Sequence, residues 1–156
     1  MSPNTFEKLD ITEYWGRLNE TIIDLVDYIP ENKLEWSPQD DLWDFHHVLS
    51  HLVFTRHGWM GNSLTQKIKP EEIHEATATR AGSQEALRRS WARVLRFLSD
   101  EASLNSLFEG EVEGQSFSYR GHWIAFHLLE HDIHHRSDIF HYLALLKIEH
   151  PDVGTP

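Results

Sequence analysis

The sequence predicts an all-α fold, a four-helix bundle with long inter-helix loops, on three observations. Apolar residues recur at helical spacing in four separate stretches, proline and capping residues stand between them, and the last stretch is too long to be a strand. The long connections permit a helix order in space that differs from the order along the chain.

The first helix is expected over residues 10–29. Asp10 is its N-cap with Glu13 three positions on, a capping-box variant, and Ile11, Tyr14, Trp15, Leu18, Ile22, Leu25, Val26 and Ile29 form its apolar stripe before Pro30 ends it. Residues 30–41 read as a capping-rich loop that hands over to a second helix at Leu42. On that helix Phe45, Val48, Leu49, Leu52, Arg56 and Trp59 make the inner stripe. His51 lies at its edge beside His47 and Thr55, while His46 and His57 point outward. Residues 61–82 turn polar and acidic and are expected to be a surface loop with one short turn. Within it Glu71 and His74 have Glu-x-x-His spacing, but beside Pro70 in a polar segment they read as solvated.

Ser83 is expected to cap a third helix running to residue 100, with Ala86, Leu87, Ser90, Trp91, Val94, Leu95 and Leu98 inward. Its Arg88, Arg89, Arg93 and Arg96 form a basic face, read first as solvated and second as a place for an anionic ligand. Residues 103–119 alternate weakly around Glu113-Gly114, as a small hairpin or a loop over one end of the bundle does. The fourth helix runs from Arg120 to Ile148, and residues 149–156 are a frayed tail. With no repeat or linker, residues 1–156 form one domain.

Composition narrows the function. The net charge of −11 repels phosphate backbones and anionic membranes, which argues against nucleic-acid and membrane partners. There is no cysteine, so disulfides, thiolate ligands and a cysteine nucleophile are excluded, and a reducing cytoplasm is the expected location. The N-terminus lacks the pattern of a signal peptide, and no run approaches the length of a membrane span.

The chemistry is expected where the histidines are. Six of the twelve fall in the fourth helix. At about 100° per residue, Ile124, Leu128, His131, His135, Ile139, Tyr142 and Leu146 share one stripe, so these imidazoles point into a core. A single inward histidine is usually a hydrogen-bonded core residue. Several at four-residue spacing are another matter, because i and i+4 side chains lie about 6 Å apart at Cβ and can converge on one ion at about 2.1 Å. His127 and His135 are about 12 Å apart along the axis and cannot share an ion, which leaves the pairs 127/131 and 131/135 open. Leu129, Ile133, Phe140 and Ala144 form a second apolar stripe, expected at a subunit interface or the bundle centre, so a homodimer is expected.

Leu34-Glu-Trp-Ser-Pro leads into Trp43-Asp-Phe-His-His-Val-Leu-Ser-His51-Leu, and His127-Leu-Leu-Glu-His131-Asp-Ile-His134-His135-Arg136 follows on the last helix. In these motifs and in helix order the sequence resembles the DinB/YfiT-like family of metal-binding four-helix bundles. The resemblance implies His51, His131 and His135 as metal ligands, with His134 a neighbour in the signature and His127 a pocket residue. Ser137 stands where the family commonly has glycine. Arg136, turned away from His135, is expected in an ion pair or interface. Asp138 or Glu130 can orient an imidazole.

Three neutral nitrogens leave a fourth position open, as in catalytic zinc sites, and equally suit nickel or ferrous iron. Such a site is expected to empty as pH falls toward about 6. The resemblance further implies a metal-dependent enzyme, such as an S-transferase using a low-molecular-weight thiol, or a hydrolase, acting on a small molecule. The arginine face or Arg120 would then take the anionic end of the thiol cofactor. The alternative is a non-catalytic, stress-related bundle that binds metal or a small ligand.

Overall fold

The computed structural model describes residues 10–64, 68–112 and 114–152. Within them lie α1 (Ile11–Val26), α2 (Phe45–Leu64), α3 (Pro70–Ala76), α4 (Arg80–Leu98), α5 (Glu101–Asn105), a hairpin of β1 (Leu107–Val112) and β2 (Gln115–Arg120), and α6 (Gly121–Leu145). The four long helices form the bundle. α1 packs on α4 and α6, and α2 packs on α4 and α6, so α1 sits across a diagonal from α2 and α4 across from α6. None of the described helices is long and apolar enough to cross a membrane.

Helix starts follow side-chain caps. Asp10 Oδ1 accepts from the backbone N–H groups of Thr12 and Glu13, as its position predicts. α2 begins at Phe45 and not at Leu42, because Asp44 supplies the cap, its Oδ1 accepting from His47 N at 2.6 Å. α4 begins at Arg80 rather than after Ser83, since the Thr79 side chain accepts from Gly82 N. Ser83 is instead buried, its hydroxyl donating to Thr77 O. The expected polar loop holds a seven-residue helix, α3, opened by Pro70, where a missing N–H costs nothing. α1 stops at Val26, three residues short of Ile29, and single turns lead to Pro30.

The core is apolar, with Trp15, Leu18, Phe45, Leu49 and Leu52 without solvent exposure. One polar network crosses it. Arg56, fully buried on α2, donates through Nη2 to Asp132 Oδ2 on α6 at 2.8 Å and through Nη1 to Asn19 Oδ1 on α1 and Ser90 Oγ on α4. Trp15 Nε1 donates to the same Asp132 oxygen at 2.6 Å. All four bundle helices meet at this guanidinium, which satisfies charges that are costly to bury alone.

The hairpin caps one end of the bundle, Leu107 pairing with Arg120 and Val112 with Gln115. Gly114 takes φ +78° in its turn. Gly110 lies beneath the Phe117 ring, where a Cβ would stand 2.6 Å from Phe117 Cζ. Phe117 and Tyr119, on one face of β2, thereby turn toward α2 and α6. On α6 the second stripe is half-buried at Leu129, Ile133 and Phe140 and exposed at Ala144. Of the expected tail, residues 149–152 carry no regular structure and residues 153–156 lie outside the described residues.

Candidate metal centre

α2 and α6 run antiparallel along the seam that holds the site: Trp43, just before α2, meets His135, His51 meets His131, and Trp59 meets His127 and Trp123. His51 Nε2 lies 2.9 Å from His131 Nε2. One turn on, His135 brings its ring centroid to 4.5 Å from His131 and 5.0 Å from His51. His135 Nδ1 donates to Asp138 Oδ2 at 2.8 Å, which leaves Nε2 as the nitrogen directed at its neighbours. One ligand atom from each of the three histidines falls within 4.8 Å of the others, so the group can hold a metal ion. A second group, His134, His135 and Asp138, meets the same distance, but it shares His135 and uses the carboxylate that already binds Nδ1.

Electrostatics favour this use. Burial, with the neighbouring His135, lowers the His51 pKa to about 4, and burial with the surrounding histidines lowers that of His131 to about 3. Burial also lowers the His135 pKa, and Asp138 opposes the shift. The rings are therefore neutral at pH 7, with lone pairs available to a cation. The expectation that protons compete near pH 6 is corrected by this desolvation, which moves the competition to more acidic pH. An all-imidazole set of neutral donors suits zinc, nickel or ferrous iron. His131 Nδ1 is buried without a hydrogen-bond partner.

Aromatic rings flank the triad along the seam. Trp43, 40% exposed, stacks on His47 at 4.4 Å and reaches His51 at 4.6 Å and His135 at 5.7 Å, so its indole covers two of the three imidazoles. Toward the hairpin, Tyr119, Trp123 and His127 stack in parallel at 3.8 and 4.8 Å, with Trp59 set across them. Between α2 and α3 a cleft of about 590 Å³ is lined by His47, His51, Phe54, Glu71, His74 and Glu75, so His51 borders both cleft and triad.

The other expected residues separate. His127 belongs to the ring stack and is not in either metal-competent group. His134 is exposed and touches His135 edge-on. Of the two carboxylates considered, Asp138 orients an imidazole and Glu130 is exposed. His46, expected to point outward, is buried, because α3 covers it: its ring stacks on His74 at 4.0 Å and its Nε2 donates to His74 O. Glu71 and His74 are exposed on α3, and neither belongs to a metal-competent group among the described residues.

His57 is half-buried rather than outward, held by Arg93, and burial pushes its pKa down to about 4. Arg89 pairs with Glu85, Arg120 donates to Asn105 O, and α4 packs on α1 and α2. Arg136 is buried, its Nε and Nη1 have no hydrogen-bond partner among the described residues, and burial lowers its pKa.

Two participants escape a reading for ligands. Asp132 binds Arg56 in the core, and the available signal is its place on the inner stripe with Leu128 and Ile139 opposite an arginine in an apolar stripe. Trp43 lies over the triad from a loop, where periodicity carries no information.

Comparison with known proteins places this architecture. The DinB family model matches residues 1–153. Among solved structures, the chain is similar to a DinB-like protein from Bacillus cereus, with a TM-score of 0.72 at 14% identity over 92% of this chain and 95% of that one. It is also similar to a DinB-like protein from Bacillus subtilis, with a TM-score of 0.66 at 14% identity over 94% of each chain. No curated protein matches the sequence.

Proposed function

The chain belongs to the DinB family, and from that premise we propose that His51, His131 and His135 hold one divalent cation and leave a coordination position open to a small molecule. The observation that carries this reading is the meeting of three imidazoles from two helices, with His51 Nε2 and His131 Nε2 2.9 Å apart. Zinc or nickel is preferred, and ferrous iron is compatible with the donors. An ion so held supplies Lewis acidity to a thiol or a water at the open position.

The chain's own residues supply the setting. His51 and His131 stay neutral, so binding displaces no proton from them at pH 7. Asp138 holds the Nδ1–H of His135 and so sets its tautomer. Trp43 keeps water from one side of the triad. The chain has no cysteine, so a sulfur nucleophile must arrive as a low-molecular-weight thiol. We read the activity as thiol-dependent S-transfer to a small electrophile, with hydrolysis as the variant in which water replaces the thiol. Incubating metal-loaded protein with candidate thiols and an electrophile tests this, and turnover no faster than with free metal rejects it.

A non-catalytic, stress-related metal- or small-ligand-binding role is the second reading. In its favour, the triad spans the same two helices that the buried Arg56–Asp132 pair joins, so an ion there braces the bundle. It predicts thermal protection by metal and none by thiol or electrophile. We also propose a cytoplasmic location and a homodimer formed through the outer stripe of α6, where Phe126 is 61% exposed beside half-buried Leu129 and Ile133. Sedimentation of wild type and Phe126→Glu tests the dimer.

A further inference from the structure

A threonine hydroxyl on a helix has a default partner, a carbonyl one turn earlier. Thr21 follows that rule on α1, donating to Leu18 O at 2.7 Å, and Thr77, just past the end of α3, donates likewise to Ile73 O at 2.9 Å. Thr55 departs from it. Its Oγ1 contacts His51 Nε2 at 3.4 Å, the same nitrogen that lies 2.9 Å from His131 Nε2. Among the described residues it is Thr55 that brings a hydroxyl within hydrogen-bond reach of the triad.

This makes one nitrogen the shared partner of two groups. Nε2 of an imidazole has either a proton or a lone pair to offer. Once that lone pair is given to a cation, it no longer serves Thr55. The hydroxyl, half-buried on α2, is then released from Nε2 to serve another group. A neutral hydroxyl is not among the usual protein donors to zinc, which are cysteine, histidine and carboxylate, so Thr55 is not suited to complete the coordination. What it suits is the incoming molecule.

We propose that Thr55 is a substrate-contacting residue whose hydroxyl hydrogen-bonds the atom that takes the open coordination position, donating to a thiolate sulfur or accepting from a water. The inference rests on the three-histidine reading above. It assigns Thr55 a share in selecting the ligand and none in holding the ion.

Cobalt(II) is the probe ion and 2-mercaptoethanol the probe ligand, read through the visible cobalt bands and the sulfur-to-cobalt charge-transfer band. Thr55→Val keeps the shape of the side chain and removes the hydroxyl. It should bind cobalt within about twofold of wild type and 2-mercaptoethanol about tenfold more weakly, the loss of one hydrogen bond to a charged group. Thr55→Ser should restore the thiol affinity, and Thr55→Ala repeats the measurement should the valine protein fail to fold. Equal thiol affinity in wild type and the hydroxyl-free variant overturns the inference while the metal reading stands. Loss of cobalt affinity on removing the hydroxyl overturns it too, making Thr55 a ligand or a structural residue. Wild-type protein that takes up no cobalt removes the metal reading and the inference with it.

Discussion

Arg56 Nη2 and Asp132 Oδ2 lie 2.8 Å apart, and neither side chain has any solvent exposure. Arg56 follows His51 by five residues on α2, and Asp132 follows His131 directly on α6, so the pair sets the register of the two helices that carry the triad. Removing one partner leaves the other charged and buried. Asp132→Ala should therefore lose about 3–5 kcal/mol of stability in urea unfolding, with Arg56→Ala similar. The double variant Arg56→Met/Asp132→Leu should be less destabilised than either single one. A small, additive effect of both single changes would show that the pair does not hold the helices.

Trp43 stands 4.6 Å from the His51 ring and 5.7 Å from that of His135, close enough for a paramagnetic ion at the triad to quench its emission. Nickel or cobalt added to the protein should reduce tryptophan fluorescence, and Trp43→Phe should lose a distinct part of that quenching while still binding the ion. Identical quenching with and without Trp43 would place the ion elsewhere.

Protonation of the triad works against the fold. The pKa values of His51 and His131 are lowered from 6.5 to about 4 and about 3 on folding, so between those values the unfolded chain binds more protons than the folded one. Stability of the metal-free protein should be at its full level above pH 6.5 and fall as pH drops toward about 4. His57, lowered to about 4, adds to the same slope. Chemical denaturation at stepped pH checks this: His51→Gln/His131→Gln should flatten the decline in part, and an unchanged slope would contradict it.

Asp138 orients His135 from a half-exposed position, its Oδ2 2.8 Å from Nδ1. Asp138→Ala should weaken metal affinity about 10- to 100-fold, measured by competition with a chelator, with little change in the melting temperature of the metal-free protein. A variant as tight as wild type would mean that the ring is held by packing alone.

The helices and the inner faces of the two histidine helices are readable from the sequence because burial imposes a 3.6-residue period on residue choice. His131 and His135 fall on that period beside Leu128 and Ile139, and His51 sits at the edge of its stripe. What periodicity does not reach depends on tertiary contact. Asp44 and Thr79 cap helices near residues that serve the same role equally well by type, and Trp43 reaches the triad from a loop. His46 becomes buried because of the short helix α3, which its polar composition conceals. The spacing of imidazoles leaves two pairs open, since only the meeting of α2 with α6 brings His51 to His131 and leaves His127 among stacked rings.

Metal content per chain is the measurement to make first, on protein purified without chelator and without a nickel column. One equivalent of zinc, nickel or iron in wild type, falling to background in His51→Ala, His131→Ala and His135→Ala, is the predicted result. Metal-free wild type that takes up no divalent ion on titration, or uptake that the three variants leave unchanged, would contradict it.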